Sequence, residues 1–234
     1  MSDILLYVEI GEDDAGKHMK KAAAEIATAG RAMADASGGR LVALVPGTVD
    51  QAAEKLGRFG VDHVLTVDAD GYDAYGLARH TAAVEAAVAA VSPKAVLFAA
   101  SVVGKELGAY AAGKLGYGHA ADVVSVALDA DTVVVTKPRY AGKAFAEVAV
   151  GTPAVVSVRP NAVPVEEHAR EAGTEVLDVP AVTPRIRLKD RQAAAEAQIE
   201  LTEADVIVSG GRGIGDPDNW HLVLDLAGAL GAAH

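Results

Sequence analysis

The stretch AVLFAASVVGK, Ala95–Lys105, sets the fold class. Six apolar residues run without a break, Ser101 follows, and Gly104 opens a helix-forming segment that lasts to Leu115. A short apolar run that ends at a capping residue reads as a strand buried on both faces and feeding a helix. The same unit recurs upstream. Ile4–Ile10 reads as a buried strand closed by Gly11, and Leu41–Val45 and His63–Val67 are two more. Between them the spacing predicts helices over Lys17–Ala34, Asp50–Phe59 and Tyr75–Val91. In the first, Met19, Ala22, Ile26, Ala29 and Met33 share one face; in the third, Leu77, Val84, Val88 and Val91 do. Continuous apolar strands alternating with amphipathic helices predict an α/β, Rossmann-like, mostly parallel sheet flanked by helices.

Downstream of His119 the rhythm changes. Val123–Ala127, Thr132–Thr136, Lys143–Val150 and Ala154–Val158 are strand-like with almost no helix between them, and Asp129-Ala130-Asp131 reads as a hairpin turn. Some antiparallel strands are therefore expected. Arg159–Arg191 carries Pro160, Pro164, Pro180 and Pro184 and should be irregular or extended along the surface. A new βα unit then begins: a strand at Asp205–Ser209, a glycine turn at Gly210–Gly213, and a helix at Asp218–Leu230 with Val223, Leu226, Ala227 and Leu230 facing inward. The expected division is an N-terminal domain over 1–198 and the first βα unit of a second domain over 199–234, with the boundary near Ile199.

Composition narrows the function. Of the 234 residues, 51% are apolar and only 4% aromatic, which suits closely packed α/β layers. A net charge of −11 repels phosphate backbones and argues against nucleic acid as a partner. The basic cluster Arg185, Arg187, Lys189 and Arg191 reads as a solvated face. With no cysteine, thiol chemistry, iron–sulfur clusters and cysteine-ligated zinc are excluded, and any redox role requires a bound cofactor. The lack of cysteine fits a reducing, cytoplasmic setting. Met1–Ile10 lacks the basic start of a secretory signal, and no run of 18 apolar residues occurs, so no membrane insertion is expected.

The richest motif is ADVIVSGGRGIGDPDN, Ala204–Asn219. A strand feeding a glycine turn that opens a helix aims backbone N–H groups at an anion, and Arg212 can fork onto phosphate or carbonyl oxygens. The stretch misses the G-x-G-x-x-G pattern, because reading from Gly211 the third glycine falls at Asp216. A plain βα turn and a phosphate site both remain open. Ser101–Lys105 lies at a strand's carboxyl end, where doubly wound folds bind ligands, but it lacks P-loop spacing and reads as a helix N-cap by Ser101. The histidines show no zinc spacing and no G-x-S-x-G elbow occurs, so no catalytic or metal residue is assigned. Trp220 marks a predicted helix start, suited to docking against the other domain or to packing beside a ring-shaped cofactor.

Taken in order, several stretches resemble the electron-transfer flavoprotein alpha subunit. They are Leu5-Leu6-Tyr7-Val8-Glu9, Ser101-Val102-Val103-Gly104-Lys105, Ala121-Asp122-Val123, Lys137–Lys143, Val158-Arg159-Pro160, and above all Leu201–Gly213. The resemblance implies an electron carrier rather than an enzyme, with a Rossmann-like first domain and a second domain that binds FAD. It implies a beta subunit holding AMP, electron donors such as acyl-CoA dehydrogenases, and a membrane-bound electron-transfer flavoprotein–quinone oxidoreductase as acceptor. It maps one FAD contact, Arg212. The family's next arginine-containing strand, its T-G-Q-T-G-like turn and its Q-H stretch have no counterpart before His234. Most FAD-binding residues are thus expected to be absent from this chain. Two other readings compete: a stand-alone Rossmann-like nucleotide-binding or docking module without redox activity, and a nucleotide-dependent enzyme on a similar fold.

Overall fold

Four strands, every residue buried, form the middle of a parallel sheet in the computed structural model, which describes residues 2–13, 16–47, 49–72, 74–186, 189, 201 and 204–234. The chain divides into two units, Met1–Arg187 and Leu188–His234. The boundary expected near Ile199 lies outside the described residues.

In the first unit the elements run β1 (Ile4–Tyr7), β2 (Ile10–Asp13), β3 (Gly16–Met19), α1 (Ala22–Ser37), β4 (Leu41–Val45), α2 (Ala52–Gly57), β5 (His63–Thr66), α3 (Leu77–Val91), β6 (Ala95–Ala99) and α4 (Val102–Leu115). They continue with β7 (Gly118–Val123), β8 (Ser125–Asp129), β9 (Thr132–Arg139), β10 (Ala144–Gly151), β11 (Ala154–Val158) and β12 (Gly173–Val176). Seven strands pair in the order β12-β5-β4-β1-β6-β11-β7, all parallel. A second sheet, β10-β9-β8, is antiparallel, as the helix-poor stretch after His119 leads one to expect.

Alternation along β1 divides the core. Ile4, Leu6 and Val8 face a layer formed by α1 and by Val133 and Val135 of β9. Leu5 and Tyr7 face α3 and α4 through Ala83, Val84, Ala87, Leu107 and Ala111. Small side chains on these helices let them lie close to the sheet. Each fully buried large residue, such as Phe98, contributes about 1.5–3 kcal/mol by burial.

Three expectations need correction. Ile4–Ile10 is not one strand: Ile10 belongs to a hairpin in which β2 pairs with β3. The first helix starts at Ala22 rather than Lys17, because Gly16–Met19 is drawn into that hairpin, where Met19 opposes Ile10. Tertiary pairing overrides the helical spacing of Met19. Val123–Ala127 falls across two strands, β7 and β8. The proline-rich segment is largely irregular or extended among its described residues, as expected, and within it Gly173–Val176 forms β12, whose four exposed residues close the β5 edge.

The second unit holds two 3-10 turns, Arg212–Ile214 and Pro217–Trp220, and a helix α5 (His221–Leu230). The expected strand Asp205–Ser209 is a single parallel bridge, Ile207 to Ala233, with Val208 N–H donating to the Ala233 carbonyl at 2.8 Å. Val223 and Ala227 are buried as expected, but Leu226 and Leu230 are half exposed. One bridge covers only a narrow stripe of a helix.

Gly104 and Gly113 stand in the same helix under opposite constraints. A Cβ at Gly104 would fall 1.9 Å from the Ala99 carbonyl oxygen, whereas one at Gly113 meets nothing within 4 Å. Gly104→Ala should destabilise the fold by about 3 kcal/mol through overpacking, and Gly113→Ala should stabilise it by about 0.5–1 kcal/mol. Urea unfolding midpoints of the two variants check both signs.

Candidate functional site

The chain leaves β1 toward β4 on one side and returns to β6 on the other, so the carboxyl ends of β1 and β6 bound the crevice where doubly wound sheets bind ligands. The chain fills this crevice itself. Glu9, just past β1, is buried, and the Ser101 hydroxyl donates to its Oε1. Ser101 Oγ in turn accepts from the Gly104 N–H at 2.9 Å and caps α4, as its sequence position suggests. A carboxylate therefore occupies the electropositive helix start that a phosphate would use elsewhere.

Two other motif stretches meet in a clamp. Arg159 donates to Asp122 from Nε at 3.0 Å and from Nη2 at 2.8 Å. Those hydrogen bonds hold the Asp122 carboxyl below the usual range. Asp122 has a φ of 59°, its N–H donates to Ser157 Oγ at 3.0 Å, and the β7–β11 register shifts between Val156 and Val158. Asp122 and Arg159 thus secure a bulge at the sheet edge.

On the opposite layer His80 is buried beneath Tyr72 and Tyr75, and Tyr7 Oη is hydrogen-bonded to its Nδ1 at 2.6 Å. Burial first, and Arg79 second, lower the His80 pKa to about 4, while the Ala74 backbone opposes the shift. Burial also raises Tyr7 well above its ordinary value, so the phenol stays protonated. Among the described residues no metal-binding group of three or more ligand side chains occurs.

In the second unit Gly211, Arg212, Ile214, Gly215, Asp216, Pro217 and Trp220 line a pocket of about 610 Å³. Arg212 opens the first 3-10 turn, and the Asp216 side chain accepts from the Asp218 N–H at 3.0 Å to cap the second. Among the described residues the exposed Arg212 guanidinium has no hydrogen-bond or ion-pair partner. The glycines differ in purpose. A Cβ at Gly210 would lie 2.6 Å from the Trp220 ring and 2.9 Å from Val223, so that glycine exists for the indole. A Cβ at Gly211 or Gly213 would meet nothing within 4 Å, so the side of the backbone where a side chain would stand is open. A free guanidinium, open glycine backbone and a flanking indole fit the charged oxygens and ring of a flavin nucleotide. Arg212 and Trp220, both singled out from the sequence, line the same pocket, and Gly210 is what lets the indole lie there.

Comparison with known proteins gives a consistent picture. The family description "Electron transfer flavoprotein domain" matches residues 8–185, and "Electron transfer flavoprotein FAD-binding domain" matches 200–234. The chain is similar to an electron transfer flavoprotein subunit alpha of Syntrophomonas wolfei, 37% identical over 79% of this chain and 59% of the relative. It is similar to the subunit alpha of Mycobacterium leprae, 34% identical over 100% of this chain and 71% of the relative. It is also similar to Protein FixB of Azorhizobium caulinodans, 30% identical over 90% and 60%. The chain spans 59% of the length of the Syntrophomonas and Bacillus relatives it matches.

Two outcomes follow from the geometry. Gly210→Ala should displace the single tryptophan and shift its emission to the red, while Gly211→Ala leaves the spectrum unchanged; fluorescence at equal concentration decides. The His80 ring is neutral in both states above pH 6.5, and as the pH falls toward about 4 the unfolded chain protonates first. Stability should therefore fall by about 3 kcal/mol across that window. His80→Gln, which keeps an acceptor for Tyr7, should flatten the slope in urea titrations at pH 7 and pH 5.

Proposed function

The chain belongs to the electron-transfer flavoprotein alpha-subunit family, and from that premise we propose that it works in the cytoplasm as one half of a two-subunit electron carrier that uses FAD. Its partner is a beta subunit holding AMP. The donors are dehydrogenases such as acyl-CoA dehydrogenases, and the acceptor is the electron-transfer flavoprotein–quinone oxidoreductase of the membrane. No described helix is long and apolar enough to cross a membrane, consistent with contact at that surface through a protein acceptor.

Bound FAD supplies the electron chemistry, accepting electrons from a donor and releasing them to an acceptor. The chain's own residues bind and orient. Arg212 supplies fixed positive charge and up to two parallel donors to flavin oxygens. The open N–H groups at Gly211 and Gly213 add donors without side-chain interference. Trp220 offers an apolar wall that limits water on one side of the pocket. The observation that carries this reading is the unpartnered Arg212 in a glycine turn that opens a pocket, inside the stretch matched by the FAD-binding description. Against a stand-alone nucleotide module stands Glu9, which already occupies the anion position at the first unit's switch point.

A charged hydrogen bond contributes about 1.5–3 kcal/mol, so Arg212→Ala in the assembled complex should weaken FAD retention roughly ten- to a hundredfold. Equilibrium dialysis followed by the flavin absorbance measures this. Retention equal to the parent protein removes Arg212 from the site.

A further inference from the structure

We infer that Asn219 is a positioning residue for FAD binding: its side-chain amide locks the sharp turn that sets Arg212 against the pocket. The inference rests on the FAD reading above. It adds a residue that stands behind the pocket wall rather than on it.

Backbone conformation is the first support. Only Gly215 and Asp216 join the 3-10 turn Arg212–Ile214 to the 3-10 turn Pro217–Trp220. Gly215 has φ 81° and ψ −58°, and the Asp216 N–H donates to the Ile214 carbonyl at 3.0 Å. Together these describe a γ-turn in its positive-φ form, which is rare and strained. Such a turn persists where its surroundings fix it.

Asn219 supplies that constraint. Its Nδ2 donates to the same Ile214 carbonyl at 3.0 Å, from five residues further on. The other hydrogen bonds nearby stay within one turn or the other. In the first, the Ile214 N–H donates to the Gly211 carbonyl and the Gly215 N–H to that of Arg212. In the second, the Asn219 N–H donates to the Asp216 carbonyl and the Asp218 N–H to Asp216 Oδ1. Among the described residues the Asn219 amide is the one side-chain donor that ties the two turns together.

Packing agrees with the hydrogen bonding. A Cβ at Gly210 would lie 2.6 Å from the Trp220 ring and 3.1 Å from Ile214 Cδ1, so both side chains crowd the same glycine. Ile214 is held by its side chain at Gly210 and by its carbonyl at Asn219. Arg212 opens the turn that Ile214 closes, and Trp220 follows Asn219 in the chain. The clamp therefore fixes where the guanidinium stands relative to the indole. A donor already held in place loses less freedom when a rigid ring system binds.

The test measures FAD affinity of the assembled complex by equilibrium dialysis for the parent, Asn219→Ala, Arg212→Ala and the double variant. Asn219→Ala should weaken binding about fivefold in the parent. In the Arg212→Ala background it should change affinity by less than about twofold, because it acts through Arg212. Asn219→Gln, which keeps the amide, should recover part of the loss. A second readout needs no flavin. Trp220 is the only tryptophan of the chain, and its fluorescence anisotropy should decay faster in the full-length Asn219→Ala chain. Gly228→Ala on α5, where a Cβ meets nothing within 4 Å, should match the parent in both readouts. Far-UV circular dichroism confirms that the variants fold. Parent-like affinity in Asn219→Ala overturns the inference, whether or not the indole loosens. An equal loss with and without Arg212 overturns it in favour of a general structural role. A complex that binds FAD equally with and without Arg212, or binds none, removes the FAD reading and this inference with it.

Discussion

The start of α4 must come into contact with the strand that precedes it, and only a residue without a side chain allows this at position 104. The space a Cβ would need there is occupied by the Ala99 carbonyl oxygen at 1.9 Å. That approach brings Ser101 between the Gly104 N–H in the first turn of the helix and the Glu9 carboxylate. The three groups satisfy one another away from water, where each alone would carry a desolvation cost of about 1–3 kcal/mol or more. β1 and β6 are thereby tied at their carboxyl ends. The remaining parallel strands are added outward from this pair, β4, β5 and β12 on one side and β11 and β7 on the other.

The same arrangement decides where ligand chemistry can happen. A doubly wound sheet offers its helix N-termini to anions at the switch point, but here that field is already matched by an internal carboxylate. The second unit is built the other way. Its glycine backbone at 211 and 213 faces open space, its arginine is unspent, and Leu222, Leu224, Leu226 and Leu230 of α5 are 42–58% exposed. A single βα unit has two faces to cover and material for little more than one stripe. The first unit matches the groups at its switch point and contributes rigidity and surface, while the second keeps Arg212 without a partner among the described residues.

How far the sequence alone reveals this depends on the kind of signal. The parallel sheet was legible because Ile4–Tyr7, Leu41–Val45, Ala95–Ala99 and Ala154–Val158 are unbroken apolar runs, and burial on both faces demands that. The β2–β3 hairpin was not, because Met19 fits a helical stripe as well as a strand and only pairing with Ile10 distinguishes them. β12 was hidden for a related reason: Gly173–Val176 is fully exposed and polar, and it is a strand only by virtue of the β5 edge beside it. In the second unit, helical spacing named Leu226 and Leu230 as inward residues, yet spacing reports which residues share a face, not whether anything covers that face. Arg212 and Trp220 could each be named from the glycine turn and the helix start beside it, whereas their place on one pocket depends on packing at Gly210 that no periodicity encodes.

The motif stretches that point to the family mostly secure backbone rather than handle ligand. Ser101 caps a helix, and Asp122 and Arg159 hold a residue with positive φ beside a register shift. These are places where the chain departs from regular geometry and where few residue types suffice, so a recognisable pattern arises from conformation alone. The Lys137–Lys143 stretch also carries positive φ values, at Tyr140, Ala141 and Gly142. Arg212 differs, a charged side chain in an irregular turn with no hydrogen-bond or ion-pair partner among the described residues. A motif residue whose hydrogen bonds are matched internally serves the scaffold of this chain, whereas one whose polar groups remain unmatched keeps them available.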